Sequence, residues 1–396
     1  MSTLNTTNIK HGSSGTNNIV LDPAGSATIN NDLNVTGDIS STGDVQMASL
    51  NGGQLAGFRN KIINGACQIA QRSLSETGVT ATSYNTCDRW LLALASLGTW
   101  TVTQSTDAPD GFSNSFKIEC TTADASPATG DLLYIAQRFE GQDLQDLGYG
   151  TSGAKALTLS FWVKSNVTGT ASLNFRQPGA TDRQYSTTYT VNSANTWEHK
   201  TITIPGDTSG TIANDNENAF QIAWWLDSGS TYTGGTTQGW GTAVTTNRNS
   251  SNFQLGNAAT NEFSITGAQL EVSPVATPFE YRPIGTELAL CQRYFYKYEF
   301  AGSATTSKSL VFKTGGSASQ NPLQVTYPVT MRATPTADLT NLVVRSSSGS
   351  GGTPTTRTAT SLGRNVDMIY LGANDLPTNT TGVIDYSGSF TIDAEL

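Results

Sequence analysis

The sequence predicts an all-β protein with an extended or β-helical N-terminal arm, a central jelly-roll β-sandwich and a small C-terminal β-domain. Charged residues make up only 13% of the 396 residues, so Thr, Ser, Asn and Gly carry most of the polarity. Asn and Gly supply the backbone conformations of tight turns, and the β-branched and aromatic residues between them fit the pleat of a sheet. Helix-forming runs of Ala, Leu, Glu and Lys are nearly absent.

Residues 1–57 are predicted to be an arm with no stable fold as a lone chain, because apolar residues are too sparse there for a core. The tripeptide Thr-Gly-Asp occurs at residues 36–38 and again at residues 42–44, with only one or two apolar residues per interval. Chains of this kind bury thin apolar stripes around a threefold axis or in a short β-helical stack. The aspartates would then be soluble corner residues. An ordinary polar linker with coincidental turns is the alternative.

Residues 58–285 are predicted to form the sandwich. In ALTLSFWVK, residues 156–164, the apolar side chains alternate with Thr, Ser, Trp and Lys, which is the period of a half-buried strand. Runs of this type separated by Gly, Asn and Asp predict two sheets packed face to face as a jelly roll. The nine runs are 100–103, 116–119, 132–139, 156–164, 171–175, 185–191, 196–204, 220–226 and 262–272.

Residues 286–396 are predicted to form a small β-rich tip domain. It opens with TELALCQRYFYKYE, residues 286–299, where apolar residues at helical spacing indicate one short amphipathic helix. The aromatic run after Arg293 fits a strand equally well. Short strand-like runs follow, separated by long polar loops such as residues 346–353. Such loops mark either a recognition tip or the surface of an oligomer.

Composition argues against several kinds of partner. The formal net charge is −9 and Lys and Arg do not cluster, so no nucleic-acid partner is expected. No apolar run approaches the roughly 20 residues that span a bilayer, and we expect neither membrane insertion nor Sec-type export. The cysteines lack metal-ligand spacing and are interpreted as buried free thiols of a protein made in a reducing cytoplasm. They are Cys67, Cys87, Cys120 and Cys291.

Catalytic motifs are sparse in this sequence. With one histidine in the arm, His11, and one in a predicted strand, His199, a histidine triad or histidine-rich metal site is hard to build. No GxSxG, HExxH or P-loop motif occurs. A glycosidase needs only two carboxylates about 5–10 Å apart, but we predict a non-enzymatic protein. The carboxylates that would have to supply such a pair are Asp88, Glu119, Glu140, Glu198, Glu262 and Glu271.

Sugar binding without hydrolysis has better support. Lectin-like sites stack a pyranose on an exposed aromatic ring, while amide and charged side chains hold its hydroxyls. Trp225 is predicted to point outward from its strand, and the Gly-rich loop 229–249 places Tyr232 and Trp240 close to Arg248. These four residues are the candidate sugar-binding residues. In the alternative, Tyr232 and Trp240 fold back over the sandwich edge or pack against a neighbouring subunit.

No cofactor is expected, with one reservation for calcium. The turn at residues 214–217 contains Asp215 and Glu217, whose carboxylates are oxygen ligands of the kind that calcium takes. The turn lacks the spacing of an EF-hand loop, and a solvated polar turn is the alternative interpretation.

Eight stretches, in their order along the chain, resemble a module of virion proteins from tailed phages of marine and cyanobacterial type. The resemblance covers roughly residues 58–396 and implies a virion appendage of the tail-fibre or tail-spike type. It also implies a middle domain similar to galactose-binding-like carbohydrate-binding modules. The stretches are RNKIINGACQIAQR, CDRW, TLSFWVKS, TWEHKTITIPGDTSGT, ITGAQLEVSPVATPFEYRP, ELALCQRYF, YPVTMRATPT and the terminal AEL.

The resemblance also implies an assembly and a location. Phage fibres that this chain resembles are homotrimers, so we expect a homotrimer that docks on other tail proteins through residues 1–57 and contacts glycan on the host surface. It would be assembled in the host cytoplasm and end as a tail appendage of the virion. The two alternatives are a capsid decoration or head-fibre protein and a tail-spike polysaccharide depolymerase.

Overall fold

A computed structural model describes residues 57–179, 181–299, 326–341, 363–364 and 389–396 with their side chains. Elsewhere it describes the backbone of short strands only. The chain divides into two compact units, residues 1–48 and residues 49–396.

In the first unit, three short strands form an antiparallel meander. They are β1 (Asn8–Ile9), β2 (Ile19–Leu21) and β3 (Ala27–Ile29), paired in the order β1-β2-β3. The doubled Thr-Gly-Asp turn at residues 36–44 lies outside the described residues. The threefold or β-helical packing of the arm therefore stays a prediction.

The second unit confirms the all-β prediction. Among the described residues, eleven strands of this unit form one sheet. They are β4 (Ser75–Tyr84), β5 (Leu91–Ser105), β6 (Ser115–Thr122), β7 (Leu132–Glu140), β8 (Leu157–Ser165), β9 (Gly169–Gln177), β10 (Arg183–Val191), β11 (Glu198–Ile204), β12 (Asn218–Ser228), β13 (Gln238–Thr242) and β14 (Glu262–Glu271). They pair antiparallel in the order β11-β8-β14-β6-β5-β7-β12-β9-β10-β13, with β4 also on β5. Each of the nine predicted runs falls on one of these eleven strands.

Strand β5 belongs to both layers of the sandwich. Its residues 91–95 pair with β7, and its residues 99–105 pair with β6. Between the two halves, Ser96 and Gly98 have positive φ, 52° and 71°. A Cβ at Gly98 would lie 2.3 Å from the carbonyl oxygen of Thr122, so the corner requires glycine for space as well as for conformation. We call β11-β8-β14-β6 with the second half of β5 the first sheet, and the first half of β5 with β7-β12-β9-β10-β13 the second sheet.

Aromatic side chains from the two sheets meet in one core. Phe161 of the first sheet lies 5.7 Å from Trp224 and 5.2 Å from Tyr189 of the second sheet, measured between ring centroids, with near-perpendicular rings. Edge-to-face contacts of this kind add to the hydrophobic gain of burying the rings. The two sheets therefore pack face to face, as the sequence predicted.

The alternation in β8 is confirmed on its inner face. Leu157, Leu159, Phe161 and Val163 are all 0% exposed. The outer face differs from a half-buried strand, since Thr158 and Ser160 are buried too. The Thr158 hydroxyl donates to the Ser273 carbonyl at 2.7 Å, because the segment that follows β14 passes over this strand.

The segment after the sandwich begins with helix α1 (Ile284–Gln292) and continues as strand β15 (Phe295–Glu299). Both predictions for residues 286–299 are thus confirmed, the helix for the first part and the strand for the aromatic run. The later strand β22 (Ile384–Asp393) pairs with β15 and with three other strands, and a separate three-stranded sheet has the order β17-β21-β20. The intervening strands are β16 (Lys308–Leu310), β17 (Ser319–Thr326), β18 (Thr336–Asp338), β19 (Leu342–Ser346), β20 (Arg357–Thr360) and β21 (Val366–Gly372).

Buried charged groups tie residues 286–396 to the sandwich. The Glu140 carboxylate at the end of β7 accepts hydrogen bonds from the Arg293 guanidinium at 2.7 and 2.6 Å and from the Tyr294 hydroxyl at 2.6 Å. Arg89, before β5, pairs with Glu395 and stacks 3.5 Å above the Tyr294 ring. Ion pairs therefore join the chain segments on either side of the predicted boundary at residue 285.

Two further expectations concern the described residues. All four cysteines are buried and free, as predicted. Within the part of the chain that the structure describes, no helix has the length and apolar character needed to cross a membrane.

Candidate functional site

A row of three aromatic rings lies on the outer face of the second sheet. In β12, Trp224 points into the core and Trp225 points out, as predicted. Trp225 stands opposite Tyr134 of β7, with ring centroids 4.6 Å apart, and its other neighbour is Tyr232 at 5.2 Å. The two half-buried tyrosines cover the indole, which is only 2% exposed. The tyrosine rings, with Trp225 between them, form the accessible surface.

Two arginines and one carboxylate border this row. The Arg176 guanidinium of β9 binds Asp182 through two hydrogen bonds of 2.7 and 2.6 Å. Arg248 reaches the same carboxylate with a single contact of 3.4 Å. Burial lowers the pKa of Arg248, and the positive charge of Arg176 lowers it further, against the pull of Asp182 and the two tyrosines Tyr134 and Tyr232. One carboxylate thus serves two guanidinium groups.

Several buried polar atoms on this face lack a hydrogen-bond partner among the described residues. They are the indole nitrogen of Trp225, the Nε of Arg248, the hydroxyl of Ser186 and the amide oxygen of Asn249. Burying such a group without a partner costs about 1–3 kcal/mol, so natural proteins leave few of them.

The loop that carries Tyr232 and Arg248 is held by hydrogen bonds to the sheet. The Asn249 amide donates to the Tyr232 carbonyl at 3.0 Å, which joins the two ends of the loop. Further along, the Ser251 amide donates to the Ser172 hydroxyl of β9 at 2.8 Å. Since Asn249 is fully buried, the two side chains are fixed before any ligand arrives.

Trp240 does not join the aromatic row. It lies on β13 and packs its ring against Tyr149, Tyr185 and Phe220, at centroid distances between 5.8 and 6.2 Å. Its indole N–H donates to the Pro205 carbonyl at 2.7 Å. This is the alternative placement considered for Trp240, a ring that closes the edge of the sandwich core rather than a free platform.

Three residues of the site were not predicted from the sequence, namely Tyr134, Arg176 and Asp182. Tyr134 occupies an outward position in the predicted run 132–139, and Arg176 follows directly after the predicted run 171–175, so strand parity was the available signal. Parity alone does not reveal that β7, β12 and β9 are neighbours, which brings Tyr134, Trp225 and Ser172 into one row.

The carboxylates considered for a glycosidase pair are engaged within the protein. Glu119 and Glu262 face each other across β6 and β14, and both pair with Lys117. Glu198 accepts bonds from Lys200 and Asn192. The remaining three are buried with donors: Asp88 with Gln71, Glu140 with Arg293 and Glu271 with Thr277.

The calcium candidates take part in a turn that contacts the C-terminal segment. The Asp215 carboxylate accepts the Glu217 amide at 3.1 Å, and the intervening Asn216 exchanges hydrogen bonds with Arg332. Across the described residues no group of three or more His, Cys, Asp and Glu side chains is arranged to hold a metal ion. Asp215 and Glu217 stay candidates from the sequence alone.

Asp88 gives a prediction for the pH dependence of stability. Burial raises its pKa to about 6, although hydrogen bonds from Gln71 and the charge of Arg72 act in the opposite direction. Because the folded-state pKa lies above the ordinary 3.8, this group stabilises the fold fully below pH 3.8 and loses that contribution as the pH rises through 6. We expect the difference in unfolding free energy between wild type and Asp88→Asn to change by about 2–3 kcal/mol between pH 4 and pH 7.

Urea unfolding of both proteins at several pH values measures this difference. Exposed Asp110→Asn is the matched control and should leave the pH profile of the wild type unchanged. A difference between wild type and Asp88→Asn that is constant from pH 4 to pH 7 would contradict the raised pKa.

A second aromatic group lies elsewhere on the surface. Phe112, Phe279 and Tyr281 have ring centroids 5.0–5.7 Å apart, and Tyr281 is 59% exposed. The Tyr281 hydroxyl donates to the Gly111 carbonyl at 3.1 Å. Tyr281 is therefore a suitable control for the site.

Comparisons with known proteins find structural likeness only. No family model and no curated protein matches the sequence. Among solved structures, the enzymatically active domain of tailspike protein 4 from bacteriophage CBA120 shares 13% identity over 54% of this chain, with a TM-score of 0.28, and the match spans only 22% of that chain.

Binding modules match over nearly their whole length. A family 11 carbohydrate-binding module from Clostridium thermocellum, in complex with a β-1,3-1,4-mixed-linked tetrasaccharide, shares 14% identity over 52% of this chain and 99% of its own, with a TM-score of 0.26. A family 61 module in complex with β-1,4-galactotriose shares 8% identity over 54% and 99%, with a TM-score of 0.27. These TM-scores are too low to carry an argument, so the site is interpreted from its own residues.

Proposed function

We propose that this chain is a non-enzymatic glycan-binding protein whose site is the outer face of the second sheet. Tyr134 and Tyr232 would receive the apolar faces of sugar rings, with Trp225 supporting both from behind. Arg176, Asp182 and Arg248 would hold the hydroxyls.

The observation that supports this proposal most directly is the pair of half-buried tyrosine rings packed on Trp225, with two arginines and one carboxylate near them. Pyranose rings offer apolar C–H faces and a rim of hydroxyls that both donate and accept hydrogen bonds. Sites for such ligands combine a few aromatic rings with a small number of oriented polar groups. The loop hydrogen bonds that fix Tyr232 and Arg248 reduce the entropy lost on binding.

Tyr232→Ala tests the site. Removing this ring takes away one side of the aromatic surface, and we expect glycan affinity to fall at least tenfold, which corresponds to about 1.4 kcal/mol. Binding is measured by calorimetry against oligosaccharides selected on a glycan array. Tyr134→Ala is a second variant with the same expected result.

Tyr281→Ala removes an exposed aromatic ring outside the site and should leave binding unchanged. Thermal unfolding of all three variants checks that the fold is retained. Wild-type affinity in both site variants, with the fold intact, would remove this face as the binding site.

The wider role that we propose is a homotrimeric tail fibre of a phage virion, docked by residues 1–57 and directed at glycan on the host surface. Its support is the ordered set of sequence stretches that resemble phage virion proteins, together with the thin apolar content of the arm. A capsid decoration or head-fibre protein and a depolymerase are the competing roles.

The oligomeric mass of the purified full chain tests the trimer, and a monomer would contradict it. Labelling the C-terminus and imaging virions by negative stain tests the location, since label confined to the head would favour the decoration protein. Release of reducing sugar from host glycan, lost on replacement of one carboxylate, would favour the depolymerase.

A further inference from the structure

The arginine and aspartate side chains beside the aromatic row carry unequal charge. Arg176 and Arg248 bring two positive charges, and Asp182 brings one negative charge. From this imbalance, and resting on the proposed glycan site, we infer that the bound glycan is acidic and places a carboxylate or sulfate group against Arg248.

The Asp182 carboxylate pairs mainly with Arg176, as its hydrogen-bond geometry shows. The two hydrogen bonds of 2.7 and 2.6 Å are the fork-to-fork arrangement in which both carboxylate oxygens meet one guanidinium. Arg248 approaches one of those oxygens at 3.4 Å, a distance at the outer limit of a hydrogen bond. Arg248 therefore lacks an anion of its own.

The surroundings of Arg248 raise the free-energy cost of leaving its guanidinium without an anion. Its side chain is 19% exposed, and its Nε is buried without a hydrogen-bond partner. The positive charge of Arg176 lies close enough to disfavour the charged form of Arg248. An anionic group on the ligand would pair with the exposed part of the Arg248 guanidinium and offset the repulsion between the two arginines.

The neighbouring positive charge on the same face is already engaged. Arg138 shares a row across the second sheet with Gln221 and Arg176. Its Nε donates to the Gln221 side chain at 3.2 Å, and its guanidinium also donates to the carbonyl of Leu396. Arg138 is therefore held by acceptors within the protein, which leaves Arg248, beside Tyr232, as the guanidinium that a sugar substituent would meet once its ring is stacked.

Three oligosaccharides of matched length test the inference on the full chain: a neutral hexose oligomer, an oligomer of uronic acids and a sulfated oligomer. We expect at least one acidic oligomer to bind about tenfold or more tightly than the neutral one, and its affinity to fall as the salt concentration rises. Arg248→Gln should remove this preference by weakening the acidic ligand about tenfold more than the neutral one, because only the acidic ligand loses an ion pair as well as a hydrogen bond. The acidic oligomer that binds more tightly than the neutral one, whether uronate or sulfated, identifies the anionic group.

Lys155→Gln removes one exposed positive charge outside the site and is the control for net charge, with no effect expected. Equal binding of neutral and acidic oligomers, unchanged by Arg248→Gln, would overturn the acidic ligand and leave the glycan site in place. Absence of binding by all three oligomers, with Tyr232→Ala indistinguishable from wild type, would overturn the glycan site itself.

Discussion

Glu395→Ala is expected to lower the unfolding free energy by about 3–5 kcal/mol, the usual cost of leaving a buried charge without its partner. Glu395 and Arg89 are paired with side-chain exposures of only 6% and 1%. Burial acts most strongly, against the charged form of Arg89, but Glu395 together with Tyr294 and Tyr84 holds the pKa of Arg89 above its ordinary value. Without Glu395, Arg89 stays charged and buried. Denaturant unfolding followed by Trp fluorescence measures the loss.

The matched control for this prediction is Glu299→Ala. Glu299 pairs with Lys297 on the surface and its side chain is 66% exposed, so the change should stay within about 0.5 kcal/mol. A double-mutant cycle of Arg89→Met with Glu395→Ala isolates the pair, and we expect the two losses not to add. Additive effects would show that the buried pair is not the source of the destabilisation.

Glu140→Ala is expected to have an effect of similar size at the other contact between the sandwich and the C-terminal segment. The Glu140 side chain is fully buried, and its removal leaves Arg293 and Tyr294 without the acceptor that they share. We expect a loss of about 3–5 kcal/mol at pH 7. Calorimetric and denaturant unfolding both measure it, and exposed Glu76→Ala is the control.

The same residue predicts sensitivity to acid. Burial acts to raise the pKa of Glu140, but the hydrogen bonds from Arg293 and Tyr294 prevail and the pKa lies below its ordinary 4.5. A lowered folded-state pKa means that the stabilisation is complete above pH 4.5 and is lost as the pH falls through the folded-state value. Glu140→Gln should remove this part of the acid dependence, and an unchanged acid transition would contradict the assignment.

The stretches that resemble phage virion proteins build this buried network rather than the aromatic site. Asn64, from RNKIINGACQIAQR, donates to the carbonyls of Ile69 and Asp88, and its own carbonyl accepts the Trp90 indole at 2.9 Å. Arg332, from YPVTMRATPT, donates to the Ala394 carbonyl at 2.7 Å. The resemblance therefore describes how the sandwich is joined to the C-terminal segment, while the aromatic site is built largely outside those stretches.

The prediction of strands succeeded where alternation is strong. β8 and β12 carry large apolar residues at every second position, and such a period is a local property of the chain. β4 and β13 were missed, because SETGVTATSY and QGWGT contain too few apolar residues to show a period. The first half of β5, LLALA, was missed as well, since a continuous apolar run does not alternate.

The site was predicted in part. Trp225 was placed outward on the condition that Ile222 and Trp224 face the core, which parity alone does not settle. Tyr232 and Arg248 were found as unusual residues of a Gly-rich loop. Trp240 in the same loop was the sharpest single candidate by sequence, and only its contacts with Tyr149 and Phe220 place it at the core edge. A loop sequence does not encode which of its rings meets the core, because that depends on the strands beneath it.

By itself, the sequence determined the all-β class, most of the strands, the buried free cysteines and the inner face of β8. These follow from composition and from a period of two residues, both of which are local. The tertiary structure alone decided that β5 turns from one sheet into the other, that Tyr134 lies beside Trp225, and that Arg89 meets Glu395. The last two residues are 306 positions apart, and a pair at that separation leaves no local pattern in the chain.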